Sequence, residues 1–252
     1  MTDSNAGQDD LDIMALIGEF YDKHAAPAEF PKLGQVVFAP VSFTERRPHM
    51  VEAIRSDAHS HTSADIQIRP LDDKVDFAAK DRLPVKALTL GATEELLAVK
   101  AKKRPCLVVG VSDGVRPHSL PAGTQRNLGM NSFDRVYALA PFFSASTQQE
   151  PTAFGPVIMA RIKRMMYPEF LYAPQSGLTI VRPSAIRLDR VFWSPMIACS
   201  CAENLFLADE VMGIVSNQLR ILAGMKADPE FMEMRELMIS DLPADLIDGE
   251  RK

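Results

Sequence analysis

Several things are scarce in this sequence, and each scarcity closes off a class of protein. Cysteine occurs three times in 252 residues, too few for a disulfide framework and in keeping with a reducing cytoplasm. No apolar run nears the ~20 residues that a membrane span requires; the longest, CLVVGV and VIMA, have the length of buried strands. The first residues, MTDSNAGQDDLD, lack the positive charge and apolar stretch of a secretory signal. The expectation is therefore an intracellular, cytoplasmic protein with no membrane association. No P-loop, G-x-G-x-x-G, H-E-x-x-H or G-x-S-x-G occurs, so the easily recognised members of those enzyme classes are excluded. Internal repeats and low-complexity tracts are missing as well.

What is present is ordinary globular composition, 46% hydrophobic and 24% charged, with ample chain to bury a core. Net charge is −5, which alone argues against a polyanionic partner. Its distribution argues otherwise, because residues 80–200 carry an excess of base and both ends an excess of acid. A local field attracts nucleic acid whatever the net charge. The opposing reading is that the acidic ends fold over the middle and neutralise it internally.

Periodicity divides the chain. Residues 1–10 read as a disordered tail. Asp9 or Asp10 can cap a helix from Leu11 to about His24, with Leu16, Ile17, Phe20 and Tyr21 as its apolar stripe. GQVVFAPV (Gly34–Val41), Cys106–Val111 and Arg135–Phe143 read as strands. Short strands are expected at Ile66–Ile68 and Val85–Leu90, and a helical turn at ATEELLAV. Val157–Met166 reads as a strand or a short helix, and FLYAP, LTIVRP and AIRLDRVFW as strand-like pieces. From Ala202 to Ala223, Leu205, Ala208, Met212, Val215, Leu219 and Leu222 share one helical face, with Gly224 as the stop. Asp228-Pro229 opens a second helix through about Met238.

Some clusters invite chemistry. The run KAKKRP precedes the strand CLVVGV. Pro105 restricts Arg104 to an extended backbone, so its guanidinium can be aimed as a fork for phosphate oxygens. A solvated basic loop is the plainer alternative. Arg161 and Arg164, with Tyr167, Phe170 and Tyr172 close by, form a second basic group with interleaved rings. Such a group suits stacked single-stranded RNA, or equally a solvated edge beside core aromatics. His59 and His61, flanked by Asp57 and Asp65, can form a metal or acid–base pair. Their hydrophilic run reads better as a solvated loop, so no metal site is expected. His49 and His118 stand alone. Cys199 and Cys201 form a C-x-C without a second pair, and Cys106 lies inside a strand; all three read as buried thiols. The methionines of 159–166 and 225–238 read as core or helix-face residues, with a Met-rich partner surface as the alternative.

In order along Gly34–Gly224, the segments GQVVFAPV, KKRPCLVVGV, ALAPFFSAS and SAIRLDRVFW, then a closing amphipathic helix, resemble the MazF/PemK-type toxin family. The resemblance implies an α+β, mainly β protein. Its centre would be a small SH3-like barrel at 11–224, with an N-terminal helix, an insertion at 44–99, and a C-terminal helix and tail at 225–252. It implies a metal-independent, sequence-preferring endoribonuclease of a toxin–antitoxin pair, without a cofactor. Single-stranded RNA and an antitoxin would be its partners, and a homodimer its assembly. Carried over, the family's cleaving residues fall on Arg104 and on Ser144, with Ser146 or Thr147 as alternative hydroxyls. Lys102, Lys103, Arg161 and Arg164 would then hold the RNA backbone. The alternative is a non-catalytic barrel that binds nucleic acid or a protein partner, of phage or mobile-element origin.

Overall fold

The computed structural model describes residues 12–23, 30–43, 46–55, 59, 64–78, 88, 90, 93–112, 135–177, 179–195 and 200–242. The chain divides into two compact units, Met1–Ala39 with Arg104–Lys252, and Pro40–Lys103. The smaller unit spans the expected insertion at 44–99. The fold is α+β and mainly β.

The larger unit begins with a short helix, α1 (Ile13–Leu16), capped by the Asp12 carboxylate, which accepts from the amides of Met14 at 2.8 Å and Ala15 at 3.2 Å. The helix expected over Leu11–His24 stops there. Ile17 is already extended, and Tyr21–Lys23 (β1) pairs instead with Ser200–Leu207 (β11). An open sheet edge accepts Tyr21 as readily as a helix would, and tertiary pairing overrides a weak local preference. The same edge claims the start of the expected helix at 202. Leu205 and Leu207 are buried on either side of the half-exposed Phe206, a period of two rather than 3.6.

β2 (Gln35–Ser42) and β6 (Ala101–Ser112) come next in the sheet and each runs from one unit into the other. β7 (Val136–Ser144) pairs antiparallel with β6. Its other edge is covered by two successive strands. β9 (Ser184–Arg187) faces Phe142–Ser144, and β10 (Phe192–Pro195) faces Val136–Leu139. A 3₁₀ turn at Leu188–Arg190 joins them. β8 (Phe170–Ala173) completes the order β1-β11-β2-β6-β7-β9-β8. The Tyr21 hydroxyl donates to the Pro174 carbonyl at 2.9 Å. That bond joins the first strand of the order to the end of the last and marks the sheet as curled, a half-barrel. Burial and the nearby Tyr172 push the Tyr21 phenol above its ordinary range.

Three helices complete this unit. α2 (Pro156–Lys163) resolves the strand-or-helix alternative in favour of helix, with Pro156 at its first position. α3 (Asp209–Leu222) ends at Gly224, whose φ of 72° suits the left-handed closing position. Met225 N donates to Arg220 O at 2.8 Å, the long bond of a Schellman motif. α4 (Pro229–Ser240) starts at Asp228-Pro229 as expected. It belongs to the larger unit, with Phe231 and Met238 in one core with Leu107, Phe142, Ile186 and Val211. LTIVRP forms no strand among the described residues.

The smaller unit holds a three-stranded antiparallel sheet of β3 (His49–Ile54), β4 (Asp65–Pro70) and β5 (Leu96–Ala98), in the order β4-β3-β5. ATEELLAV was expected to turn helically; its Leu96–Ala98 instead pairs with His49–Val51. Arg69 donates to Glu52 at 3.2 Å and to both oxygens of Asp76, at 3.0 and 2.6 Å. The Val85–Leu90 expectation falls largely outside the described residues.

Candidate functional site

Four of the five segments that carry the family resemblance occupy neighbouring places in the larger sheet, on β2, β6, β7 and β9–β10. After Lys100, KAKKRP is not a loop before a strand but the start of β6 itself. Cys106 lies opposite Pro141, which brings Arg104 to Phe143. The Arg104 guanidinium carbon sits 4.3 Å from the centre of the Phe143 ring, a cation–π contact worth about 0.5–2 kcal/mol depending on desolvation.

A second arginine meets the same ring. Arg187, the last residue of β9, lies 5.6 Å from the Phe143 centroid and 5.1 Å from that of Phe170. Asp189, in the 3₁₀ turn, holds it in a two-pronged pair, with Nε donating to Oδ1 at 2.7 Å and Nη2 to Oδ2. The planar fork is thereby fixed in orientation. The aromatic support extends inward. Phe170 meets Phe154 edge-on at 5.5 Å and Tyr167 at 6.0 Å. Two guanidinium groups thus rest on one small aromatic platform formed across the adjacent strands β6, β7 and β9.

Ser144 lies elsewhere. It follows Phe143 in a regular stretch of β7 paired to β9. Side chains alternate along a strand, so its hydroxyl is on the face opposite the Arg104–Phe143 contact, the face of the buried Phe142. The alternative hydroxyls are engaged in turns. Ser146 Oγ accepts from Thr152 N at 3.0 Å and Thr147 Oγ1 from Glu150 N at 3.0 Å.

Arg161 and Arg164, expected on an RNA-facing surface, are 1% and 5% exposed. Arg161 donates to the Tyr167 hydroxyl at 3.0 Å, and Arg164 to the Asp241 carbonyl at 2.8 Å and carboxylate at 3.1 Å. Both act as internal struts, because a buried guanidinium must be paired. Lys163 in turn faces Asp12 at 3.3 Å. At α2, therefore, acid from both ends of the chain neutralises base in the middle. Lys102 and Lys103 are exposed on the first residues of β6, which belong to the smaller unit.

No group of His, Cys, Asp or Glu among the described residues is arranged to hold a metal. His59 is exposed, while His61, His118 and Cys199 lie outside the described residues. Cys106 is buried and in no disulfide, and Met159, Met165 and Met238 are buried core residues. A cavity of about 440 Å³ between α3 and β6, lined by Leu33, Val109, Met212 and Leu219, is apolar apart from Ser216 and Arg220. No helix among the described residues is long and apolar enough to cross a membrane.

Comparison with known proteins gives no match to any family model, curated protein or solved structure. Sequence reasoning does not single out Arg187 and Asp189 as site residues, although both lie in SAIRLDRVFW. The available signal was Arg-x-Asp at the end of a strand.

Proposed function

We propose that this chain is a MazF/PemK-like protein with an SH3-like barrel, and that it binds single-stranded RNA at Arg104, Phe143 and Arg187. The observation that carries this reading is the convergence of two guanidinium groups on one ring. Forked cations recognise phosphate oxygens, and guanidinium planes and rings accept splayed bases. On this reading the protein works in the cytoplasm as the toxin of a toxin–antitoxin pair. Arg104 stabilises the negative charge that builds on the non-bridging phosphate oxygens as the ribose 2′-hydroxyl, giving its proton to water, bonds to phosphorus and the P–O5′ bond breaks, the departing 5′-oxygen taking up a proton from water. Binding without cleavage is the second reading. It is favoured by Ser144, which by strand alternation faces away from Arg104.

Purified protein incubated with single-stranded RNA in EDTA, beside Arg104→Ala and Arg187→Ala, separates the readings. Cleavage lost in Arg104→Ala supports the nuclease. Salt-sensitive binding without cleavage, weakened in both variants, supports the binder. RNA that neither binds nor breaks, or variants indistinguishable from the parent, contradicts both.

A further inference from the structure

We propose that two copies of this chain associate through β4, edge to edge about a two-fold axis, joining their three-stranded sheets into one of six strands. Four observations on β4 lead there.

First, β4 is an edge. It pairs with β3 on one side, and among the described residues no strand pairs with its other side. Its outer amides and carbonyls are a template for another strand. Second, the protection of this edge is confined to its ends, where Asp65, Arg69 and Pro70 lie, and its centre, Ile66–Ile68, carries none. Its only proline is its last residue, it contains no lysine, and no register shift interrupts its pairing with β3. Third, its apolar residues are open. Ile66 is 57% and Ile68 66% exposed, on the face they share with Ala53 and Val51 of β3.

Fourth, the strand is self-complementary. Let Gln67 be the centre of an antiparallel pair. Gln67 then faces Gln67 of the second copy, Ile66 faces Ile68, and Asp65 faces Arg69. A shift by one residue sets isoleucine beside arginine and turns the apolar faces of the two sheets to opposite sides. The Gln67 register keeps both faces continuous and covers four isoleucine side chains at the seam. The bonds of Arg69 to Glu52, Pro70 and Asp76 use the Nε hydrogen, both Nη1 hydrogens and one on Nη2. The second Nη2 hydrogen remains to meet Asp65 of the other copy. Because Arg69 is already balanced by two carboxylates, the isoleucines dominate and the charge pair chiefly selects the register. The occupant is thus a second copy, matched in charge and in apolar spacing. This inference is independent of RNA binding.

The test is sedimentation of the full-length protein from micromolar to near-millimolar concentration, together with cysteine cross-linking. A concentration-dependent dimer is expected. Ile68→Lys removes it, and Asp65→Lys, which sets lysine against Arg69 twice per dimer, weakens it several-fold. Gln67→Cys forms a disulfide-linked dimer, because directly paired antiparallel residues have Cα atoms about 4.5–5.5 Å apart. The parent protein controls for its native cysteines. Three results overturn the proposal. One is a monomer throughout. Another is a dimer unchanged by Ile68→Lys and not linked by Gln67→Cys, which puts the second copy elsewhere. The third is a monomer whose Gln67→Cys variant links only to other proteins, which assigns the edge to a different partner.

Discussion

The larger unit hides its isoleucines and the smaller one shows them. Ile13, Ile162 and Ile186 are wholly buried, whereas Ile66 and Ile68 stand more than half exposed. The difference follows from size and layering. A sheet of seven successive strands with helices packed against it can cover an apolar face. Three short strands cannot bury much by themselves. The smaller unit is held instead by polar geometry. Asp76 has no exposed side-chain surface; it binds Arg69 and also accepts from Asp72 N at 2.8 Å. One unit is held by packing, the other by a clamp.

That contrast can be broken by making comparable deletions in both. Ile186→Ala should cost about 2–5 kcal/mol in chemical denaturation, the range for deleting a fully buried aliphatic side chain. Ile68→Ala, the same change at a site exposed in the single chain, should move the stability of the monomer, measured at a concentration below that of any dimer, by less than about 0.5 kcal/mol. Equal losses would contradict the contrast. Within the smaller unit the largest fall in Tm should come from Asp76→Asn, which strips charge from the clamp without changing its shape.

Tyr21 sharpens the comparison from the other side, because it closes the larger sheet. Tyr21→Phe should cost about 1 kcal/mol for the hydrogen bond to Pro174. It should also change the response to alkali. The phenol is held above its ordinary value of 10.0 in the folded protein. Its contribution is therefore complete below that pH and is lost as pH rises beyond it, where the unfolded chain ionises first. Unfolding of the parent should steepen above about pH 10, and that part of the slope should vanish in Tyr21→Phe. The smallest effect is expected at Asp73, whose carboxyl Arg47 holds below its ordinary range through an exposed hydrogen bond. This contribution is present above the ordinary aspartate value and is lost as pH falls through the depressed one. Arg47→Ala should flatten that acid limb only slightly, because both side chains are well exposed.

What could be read from the sequence followed how local the signal was. β2, β6 and β7 announce themselves as valine-, leucine- and phenylalanine-rich runs, and α4 by its Asp-Pro start. α3 carries a clean helical stripe, but its start is misplaced by the strand before it. β1, β3 and β5 are three to six residues long. β1 and β5 have pairing partners distant in sequence, so nothing local separates them from loop or helix. The site divides the same way. Arg104 stood out because Pro105 follows it. Arg187 acquires its place only when β9 folds beside Phe143. Arg161 and Arg164 read as surface cations because the groups that draw them inward, Tyr167 and Asp241, are set by the fold.

On the proposed reading, the Arg104–Phe143–Arg187 platform of the larger unit takes an RNA backbone. The most direct test of that reading is the salt dependence of single-stranded RNA binding, measured by fluorescence anisotropy for the parent and for Arg104→Ala. Loss of one phosphate contact should weaken binding and lower the slope of log K against log salt by about 0.7 for a single strand. An Arg104→Ala protein with the affinity and slope of the parent would contradict the claim.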